Sequence, residues 1–369
     1  MKKPIQIAVI GCGRIAGHHG RSISKVDGVE LAAVCDLNAE RSGAFAQEFG
    51  VPHFLNYHEM FQKIPSINTV AIVTPSGMHF EHATEIMKLY RKNVIIEKPT
   101  FMKPSQESSA FELAETLGLS IFPVFQNRYN HAVARVRKAL AEDELGAIRL
   151  VSVRVRWCRP QRYYDLAPWR GTFSQDGGAL TNQGIHHVDL MRHLGGEVLR
   201  VNSSMKTLGA DIEVEDTAVG TAVFASGALG VLEVTTAARP QDYEASISLV
   251  CEKGLAQIGG IAVNELQAFT PDPTACEVNS EDFSGNVYGN GHREMYQDIS
   301  NFFHEGKSYP VSKNDCLNTI KLLHAFYCAD EQGDWVGVDG RGESERLGKA
   351  NEELANLYRT PFVEGKVYG

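Results

Sequence analysis

The fold is decided by the stretch IQIAVIGCGRIA, residues 5–16, where a short apolar run leads into a glycine-rich turn. Gly11 permits the tight turn, Gly13 lets the backbone approach a ligand, and the small Ala16 lets the following helix pack closely on the strand. The N-terminus of that helix offers free N–H groups and a positive dipole end to phosphate groups. We therefore expect a dinucleotide pyrophosphate to bind at this turn, beside Arg14 and Ile15.

The first 125 residues alternate short apolar runs with segments of helical length. The predicted strands are Ile5–Ile10, Leu31–Cys35, Thr69–Val73, Val94–Ile96 and Ile121–Phe125. The predicted helices between them are Arg14–Val26, Ala39–Phe49, Met78–Lys88 and Ser105–Thr116. Because this alternation is typical of right-handed βαβ units, it predicts a doubly wound, parallel Rossmann sheet.

The second part of the chain has a different pattern, in which hairpins replace crossovers. Val151, Val153 and Val155 alternate with polar residues, as in a half-buried strand. Strands are predicted at 148–157, 217–225, 229–237, 244–251 and 255–259, helices at 131–142, 185–194, 292–304 and 313–330, a long loop at 270–291, and a helical stretch at Ser344–Leu357. This predicts an α/β protein with two domains, 1–126 and 127–369, the second an α+β domain with a mostly antiparallel sheet.

Composition excludes several classes of protein. With 369 residues, 43% of them hydrophobic, and a net charge of −9, the chain is expected to bind neither nucleic acid nor an anionic membrane. No apolar run approaches the roughly 20 residues that span a bilayer. The seven cysteines show no C-x-x-C spacing, which is typical of reduced thiols. We therefore expect a cytoplasmic protein without a membrane segment.

An acidic residue follows the second predicted strand. Asp36 lies 20 residues after Ala16, where a carboxylate accepts hydrogen bonds from the adenosine ribose hydroxyls. The same carboxylate repels a 2′-phosphate, so NAD is the expected cofactor, although Arg41 could soften that preference.

A lysine stands at the end of another buried strand, in Glu97-Lys98-Pro99. Ligands of open α/β sheets bind outside the carboxyl ends of the strands, which is where this lysine falls. Taken in isolation, Lys98 is better explained as a solvated charge at a strand end, followed by a structural proline.

Polar groups are concentrated at the start of a predicted helix near residue 185. Asn182, His186 and Asp189 have the spacing that brings an amide, an imidazole and a carboxylate to one helix face, and an ordinary surface position is the alternative for His187. No cysteine or glutamate joins them, so we expect no metal site.

Several of these motifs together resemble the glucose–fructose oxidoreductase/inositol dehydrogenase/MocA family over nearly the whole chain. They are Gly11-x-Gly13-x-x-Ala16, Thr74-Pro75-Ser76-x-x-His79, Glu97-Lys98-Pro99, and Gly177-Gly178-Ala179-Leu180 with His186-x-x-Asp189. The resemblance implies an NAD-binding Rossmann domain, a second domain whose large open sheet often forms the oligomer interface, and a catalytic pair of Lys98 and His186. It also implies a cis peptide bond before Pro99.

The resemblance implies further site residues. Those expected to line the cofactor, besides the glycine turn and Asp36, are Thr74, Ser76, His79, Glu97, Lys98, Gln126, Asn127, Trp169 and Arg170. Those expected to bind substrate, besides Lys98 and His186, are Arg159, Arg162, Tyr163, Tyr164, Asn182, Arg239, Tyr288 and His292. For each arginine and tyrosine, an ordinary surface or packing role is an equal alternative.

Asn182 departs from the family, which usually has aspartate four residues before the histidine. An amide is no base, so proton transfer is left to Lys98 or His186. With the flanking aromatic and arginine motifs, this variant resembles bacterial UDP-N-acetylglucosaminuronate 3-dehydrogenases of surface-polysaccharide biosynthesis.

The resemblance implies a UDP-sugar substrate oxidised at C3, a homo-oligomer (tetramer or dimer), and a 2-oxo acid as a candidate oxidant of NADH. Two alternatives stay open. One is a dehydrogenase of a free sugar or inositol, and the other is a non-catalytic dinucleotide-sensing regulator.

Overall fold

The computed structural model describes residues 3–283, 288–339 and 342–362. The first part alternates strands and helices: β1 (Ile5–Ile10), α1 (Ala16–Ile23), β2 (Val29–Cys35), α2 (Ala39–Phe49), β3 (His53–Phe54), α3 (Tyr57–Lys63), β4 (Thr69–Ile72), α4 (His79–Tyr90), β5 (Asn93–Ile96), α5 (Pro104–Leu117) and β6 (Ile121–Pro123). The rest comprises α6 (His131–Ala141), β7 (Ile148–Arg156), α7 (Gln161–Tyr164), α8 (Ile185–Gly195), β8 (Val198–Lys206), β9 (Thr217–Phe224), β10 (Leu229–Thr235), β11 (Glu244–Cys251), β12 (Leu255–Gly259), β13 (Glu265–Phe269), α9 (Ala275–Val278), α10 (Gly291–Glu305), α11 (Lys313–Gln332), β14 (Val336–Gly337) and α12 (Glu352–Asn356).

The first sheet has six parallel strands in the order β3-β2-β1-β4-β5-β6. Every residue of β4 is buried, and so are the last three of β5, as expected for strands that are covered on both faces. Val70, Ile72, Val94 and Ile96 pack into one apolar cluster with residues from the flanking helices. The predicted doubly wound Rossmann sheet is confirmed.

Local signals account for the bounds of α2, which match the prediction. The side chain of Asn38 accepts the backbone N–H of Arg41 and caps the N-terminus. Gly50 ends the helix in the left-handed conformation, with φ 68°.

The second sheet has eight strands in the order β13-β12-β11-β7-β10-β9-β8-β14. Among the described strand pairs of this second sheet, β7–β10 is parallel and the others are antiparallel, so the predicted large, mostly antiparallel sheet is confirmed. The valines of β7 are buried as predicted. On its opposite face Arg156 binds Glu233, with Nε 2.6 Å from Oε1.

Several elements were not predicted. β3 has two residues, too few to show a period, and the seven residues of α3 follow Asn56, whose side chain accepts the N–H groups of His58 and Glu59. β8 has an irregular burial pattern without strict alternation. The segment 270–291, predicted as a loop, contains the single turn α9, and residues 284–287 lie outside the described residues.

The predicted helix Ser344–Leu357 is wrong over its first half, and only α12 is helical. Ser344 instead folds against α11, where its Oγ donates to Glu331 Oε1 at 2.6 Å. Gly348 has φ 70°, which interrupts a right-handed helix.

The described residues form two compact units, one of 3–124, 292–317 and 350–362 and the other of 125–291 and 318–349. In the first unit, Ser300 Oγ donates to the carbonyl of Asp27 at 2.7 Å and Tyr309 donates to that of Pro123 at 2.8 Å. Helix α10 is therefore part of the first unit in space. Functional domains at 1–126 and 127–369 stay a prediction.

Within residues 3–283, 288–339 and 342–362, every helix is too short or too polar to cross a membrane.

Candidate active site

The first unit brings together the residues that follow four strand ends. Parallel strands place their carboxyl ends at one edge of the sheet, so Gly11, Asp36, Thr74 and Glu97 share that edge. Between β1 and β4 the strand order reverses, which is the position where doubly wound sheets bind ligands.

The glycine turn is shaped for close approach. Gly11 has φ 94°, and a Cβ there would lie 2.5 Å from the carbonyl oxygen of Val73. At Gly13, by contrast, no described atom lies within 4 Å of where a Cβ would be. Helix α1 has no side-chain cap at Ile15, so no capping side chain competes with a ligand at its positive dipole end, and Arg14 is exposed there. These residues fit a dinucleotide pyrophosphate.

Asp36 is fixed by the turn it faces. Its Oδ2 accepts the backbone N–H of Cys12 at 2.7 Å, and its Oδ1 accepts that of Asn38 at 2.8 Å. Each carboxylate oxygen has a second lone pair, so Asp36 can still accept ribose hydroxyl groups. Burial raises the pKa of the Cys12 thiol to about 12, which keeps it protonated.

His79 connects two loops at this edge. Its Nδ1 lies 2.9 Å from the carbonyl oxygen of Pro99, and its Nε2 lies 3.0 Å from that of Thr74. The ring is buried, which lowers the pKa of His79. The hydroxyl of Thr74 contacts His82 Nδ1 at 3.0 Å, and Ser76 is buried. Direct contact of Thr74, Ser76 or His79 with the cofactor stays a prediction.

Glu97 lies at the centre of a buried set of hydrogen bonds. Its Oε1 is 2.9 Å from His19 Nε2 and 3.2 Å from His292 Nε2, and its Oε2 accepts the backbone N–H of Lys98 at 3.0 Å. Burial raises the pKa of Glu97, but the hydrogen bonds from both imidazoles outweigh it and hold that pKa well below its usual value. The Lys98–Pro99 bond is cis, as expected.

The sequence did not indicate this arrangement. His19 and His292 lie 78 and 195 residues from Glu97, and no motif links them. His292, expected to bind substrate, is fully buried beside Glu97, so a direct contact with substrate stays a prediction.

In the second unit a π-helical turn, Ala179–Gln183, precedes α8. Gly178 has φ 81°, and a Cβ there would lie 2.3 Å from Glu215 Oε2. The buried Glu215 accepts the N–H of Leu180 and the hydroxyl of Tyr327 on Oε1. This carboxyl therefore supports the turn that carries Asn182.

Gln126 contacts the predicted catalytic histidine. Its Nε2 lies 3.0 Å from Nε2 of His186, and both side chains are buried. An amide nitrogen only donates, so this nitrogen of His186 accepts and the imidazole is neutral. Gln126 was expected at the cofactor, and a contact with the cofactor stays a prediction. Asn127 is half-buried beside it.

The helical spacing predicts a carboxylate of Asp189 on the same face as His186. In the structure this carboxylate is engaged by other side chains. Arg128 donates to both of its oxygens, at 2.8 and 2.6 Å, and Thr319 Oγ1 donates at 3.0 Å. The interpretation of His187 as a surface residue is wrong, because it is fully buried, which lowers its pKa to about 4.

A carboxylate that the motifs did not indicate lies next to Asn182. The amide Nδ2 of Asn182 donates to Asp176 Oδ1, and Asp176 Oδ2 accepts the N–H of Gly171 at 2.7 Å. Asn182 Oδ1 in turn accepts Gln183 Nε2 at 2.8 Å. The substitution of the usual aspartate by Asn182 thus pairs an amide with a buried carboxylate.

The same chain of contacts reaches the predicted substrate residues. Gln183 Nε2 donates to Tyr163 Oη at 3.1 Å, and Gln183 Oε1 accepts Arg159 Nη2 at 3.5 Å. The guanidinium of Arg170 lies 4.3 Å from the Tyr163 ring centroid and 4.5 Å from that of Trp169. Arg159, Tyr163, Trp169 and Arg170 therefore form one arginine–aromatic cluster.

Other predicted substrate residues have different surroundings. The buried hydroxyl of Tyr164 contacts Thr236 Oγ1 at 3.0 Å, and burial raises its pKa to about 12. Arg239 is exposed and donates to backbone carbonyls, including that of Gly209 at 3.0 Å. Arg162 is exposed and Tyr288 is half-buried.

Two family descriptions match the chain. "Oxidoreductase family, NAD-binding Rossmann fold" matches residues 5–125, and "GFO/IDH/MocA C-terminal domain" matches residues 133–257.

Solved structures of two WlbA dehydrogenases, each in complex with NADH and UDP-GlcNAcA, are similar to this chain. The Bordetella pertussis enzyme is 32% identical, with a TM-score of 0.85, covering 91% of this chain and 98% of that one. The Chromobacterium violaceum enzyme is 34% identical, with a TM-score of 0.84, covering 91% and 96%. D-glucoside 3-dehydrogenase of Escherichia coli is 27% identical over 256 residues, 63% of this chain and 71% of the relative.

Proposed function

Because the chain belongs to the GFO/IDH/MocA family of NAD-dependent oxidoreductases, we propose that it oxidises the C3 hydroxyl of a UDP-N-acetylglucosaminuronic acid-type sugar nucleotide. The observation that carries this proposal is the chain of contacts from Asp176 through Asn182 and Gln183 to the arginine–aromatic cluster. These hydrogen bonds therefore connect Asn182, which replaces the usual aspartate, to side chains suited to an anionic, aromatic ligand.

The chemistry of the cluster supports a nucleotide sugar. A uracil ring stacks on aromatic side chains, and a diphosphate or uronate binds guanidinium groups. Tyr163 lies against both Arg159 and Arg170. Arg170 Nε is buried and has no hydrogen-bond partner among the described residues, so it has a donor to offer a ligand. The two WlbA structures, with their bound UDP-GlcNAcA, support the same class of substrate.

The proposed reaction removes a hydride from C3 and a proton from the C3 hydroxyl. Bound NAD supplies the hydride acceptor at its nicotinamide C4. We assign the proton to Lys98 or His186, and the contact with Gln126 supports His186, because it keeps that imidazole neutral. Lys98, as a cation, then stabilises the charge that develops on the oxygen. Removing such a donor typically costs about a hundredfold or more in rate.

A free sugar is the second candidate substrate, favoured by the similarity to D-glucoside 3-dehydrogenase. A non-catalytic regulator is no longer a candidate, because the family is one of oxidoreductases.

The test is turnover of NAD with UDP-N-acetylglucosaminuronate, UDP-N-acetylglucosamine, methyl glucoside and myo-inositol, followed by NADH absorbance. We expect activity with the uronate and a thermal shift with UDP-sugars in the presence of NAD. Substrate deuterated only at C3 should transfer deuterium to the cofactor, whereas substrate deuterated at C4 should not. Activity with methyl glucoside or inositol, without any response to UDP-sugars, would establish the second candidate instead.

We also propose that a 2-oxo acid reoxidises the NADH. It accepts the hydride at its keto carbon and a proton at the oxygen, and becomes a 2-hydroxy acid. Addition of 2-oxoglutarate should sustain turnover at a substoichiometric amount of NAD, and its failure to do so would remove this part of the proposal.

We propose a homo-oligomer, dimer or tetramer, formed through the open face of the second sheet. That face exposes Val219 and Val231 beside the charges of Arg156 and Glu233. Light scattering after size exclusion measures the mass directly, and a monomer of 40.6 kDa would contradict the proposal.

A further inference from the structure

We propose that a buried cluster around Glu97 positions the main chain of Lys98 for the reaction. The cluster consists of His19, Glu97, His292 and Tyr296. The inference rests on the proposed catalytic role of Lys98 and is independent of which sugar is oxidised.

The cluster joins three separate elements of the first unit. His19 belongs to α1, Glu97 directly follows β5, and His292 and Tyr296 belong to α10. The side chains of His19, His292 and Tyr296 are fully buried, and Glu97 is 6% exposed. A carboxylate in such a place is stable only when its oxygens are satisfied.

We assign the protons of the cluster so that every hydrogen bond has one donor and one acceptor. Tyr296 donates its hydroxyl to Nδ1 of His19 at 2.7 Å, which leaves Nε2–H of His19 to donate to Glu97 Oε1. His292 donates its Nε2–H to the same oxygen. The remaining oxygen accepts the N–H of Lys98. In this assignment both imidazoles donate through Nε2–H to Glu97, which carries the buried negative charge.

Two contacts hold the backbone around Lys98, one at its own N–H and one at the peptide group that follows Pro99. The N–H of Lys98 is held by Glu97, and the carbonyl of Pro99, one residue on, lies 2.9 Å from His79 Nδ1. Burial lowers the pKa of His292, and the charge of Lys98 contributes in the same direction, so the lysine is within electrostatic range of the cluster. Small displacements of a reacting group are costly, on the order of a hundredfold in rate per ångström.

The cluster also connects Lys98 to the cofactor turn. Helix α1 begins at Ala16, three residues after Gly13, with its N-terminus at the expected pyrophosphate site, and His19 lies on the first turn of that helix. The path from the helix to the lysine backbone has two hydrogen bonds, one at each oxygen of Glu97. We infer that this path keeps Lys98 in a constant position relative to α1.

A metal ion is the alternative explanation, because ligand atoms of His19, Glu97 and His292 lie within 4.8 Å of one another. Two observations favour hydrogen bonding. Both Nε2 atoms are at hydrogen-bond distance from the same oxygen. A metal-bound imidazole usually donates its other N–H to an acceptor, whereas Nδ1 of His292 has no hydrogen-bond partner among the described residues.

The main test compares two Tyr→Phe variants that remove the same kind of hydrogen bond. Tyr296→Phe removes the hydroxyl that holds His19, whereas Tyr90→Phe removes the hydroxyl that lies 2.7 Å from Nδ1 of His58, outside the cluster. We expect Tyr296→Phe to lower kcat about fivefold to tenfold, as for one lost hydrogen bond, with the Kd for NADH changed less than twofold. Tyr90→Phe should leave both unchanged.

Variants at His292 provide a rescue within the cluster. His292→Leu removes the donor to Glu97 and should lower kcat more than Tyr296→Phe does. His292→Gln keeps an N–H donor and should recover at least half of the lost activity. Equal losses in these two variants, or equal effects of the two Tyr→Phe variants, would overturn the inference.

A spectroscopic measurement tests the cluster without any sugar substrate. Nitrogen-15 spectra of histidine-labelled protein should show His19 as the Nε2–H tautomer, assigned by its loss in His19→Asn. An Nδ1–H tautomer would contradict the proton assignment. Stoichiometric metal in the purified protein, with activity lost on chelation, would replace the cluster with a metal site.

The role of Lys98 is tested separately. If Lys98→Ala retains NADH binding and full turnover, the proposed function of the lysine fails. If Lys98→Ala abolishes turnover while Tyr296→Phe behaves like Tyr90→Phe, only the positioning inference fails.

Discussion

The amide nitrogen of Gln126 lies 3.0 Å from Nε2 of His186, and both side chains are buried in the second unit. Gln126 directly precedes Asn127 in the chain segment that follows the Rossmann sheet, whereas His186 lies in the first turn of α8. The contact fixes the orientation of an imidazole for which we propose a role in proton transfer.

Replacement of Gln126 should therefore affect the chemical step. Gln126→Leu removes the donor to His186 and should lower kcat about tenfold, while the Kd for NADH changes less than twofold. Steady-state kinetics and fluorescence titration with NADH measure the two effects. The opposite result, a weaker affinity for NADH with kcat unchanged, would show that Gln126 serves the cofactor alone.

Restoring the aspartate that is usual in the family should be harmful in this chain. Asn182→Asp places a second carboxylate against the buried Asp176, and two adjacent carboxylates repel each other. We expect a loss of roughly 1–3 kcal/mol in the free energy of unfolding at pH 8, and less at pH 5, where the pair can share a proton.

The exchanged pair, Asp176→Asn with Asn182→Asp, is the control for that variant. It keeps one amide and one carboxylate, so urea unfolding should show a smaller loss than in Asn182→Asp alone. A single variant as stable as the wild type at both pH values would contradict the predicted repulsion.

Asp36 should determine both cofactor choice and the geometry of the turn. Asp36→Ala removes the acceptor for ribose hydroxyls and for the N–H of Cys12, so the KM for NAD should rise about tenfold or more. Preference for NAD over NADP should also fall, because the repulsion of a 2′-phosphate is lost. Asp36→Asn separates hydrogen bonding from charge repulsion, since it keeps an oxygen acceptor but removes the negative charge. An unchanged NAD/NADP ratio of kcat/KM in both variants would refute the assignment.

Glu215 should make stability depend on pH. Burial raises the pKa of this carboxyl from 4.5 to about 8, so the folded protein holds a proton that the unfolded chain releases above pH 4.5. Stability from this group is present at low pH and is lost as the pH rises from about 4.5 to about 8.

The measurement is urea unfolding of the wild type and Glu215→Gln across that range. The variant should gain stability relative to the wild type with rising pH, by up to about 1.4 kcal/mol per pH unit. Glu265→Gln, at an exposed position of β13, is the matched control and should show no such trend. A difference that is independent of pH would mean that Glu215 is ionised in the folded protein.

The Rossmann part of the fold was predictable because its signals are local. β1 is a short buried run that ends at a glycine turn, and α2 has a side-chain cap at one end and a left-handed glycine at the other. In the second sheet, β11 and β12 also match their predicted bounds. By contrast, β8 lacks an alternating burial pattern, and its register with β9 shifts between Val198 and Arg200, so no local signal marks it as a strand.

The composition of the candidate site was only partly predictable, for a related reason. Motifs indicated Lys98, His186 and Asn182, because family resemblance preserves short stretches of sequence. The carboxylate of Asp176 and the imidazole of His19 act through contacts that tertiary structure creates. No spacing rule could connect Glu97 to a residue 195 positions later.

The distance in sequence between Glu97 and His292 has a consequence during protein synthesis. At ribosomal rates of roughly 5–20 residues per second, the 195 residues between them take about 10–40 s to emerge. Through that interval the nascent Rossmann sheet lacks α10, and the carboxylate of Glu97 lacks one of its imidazole donors. The lysine loop therefore reaches its final hydrogen-bonding state only after most of the chain has been translated.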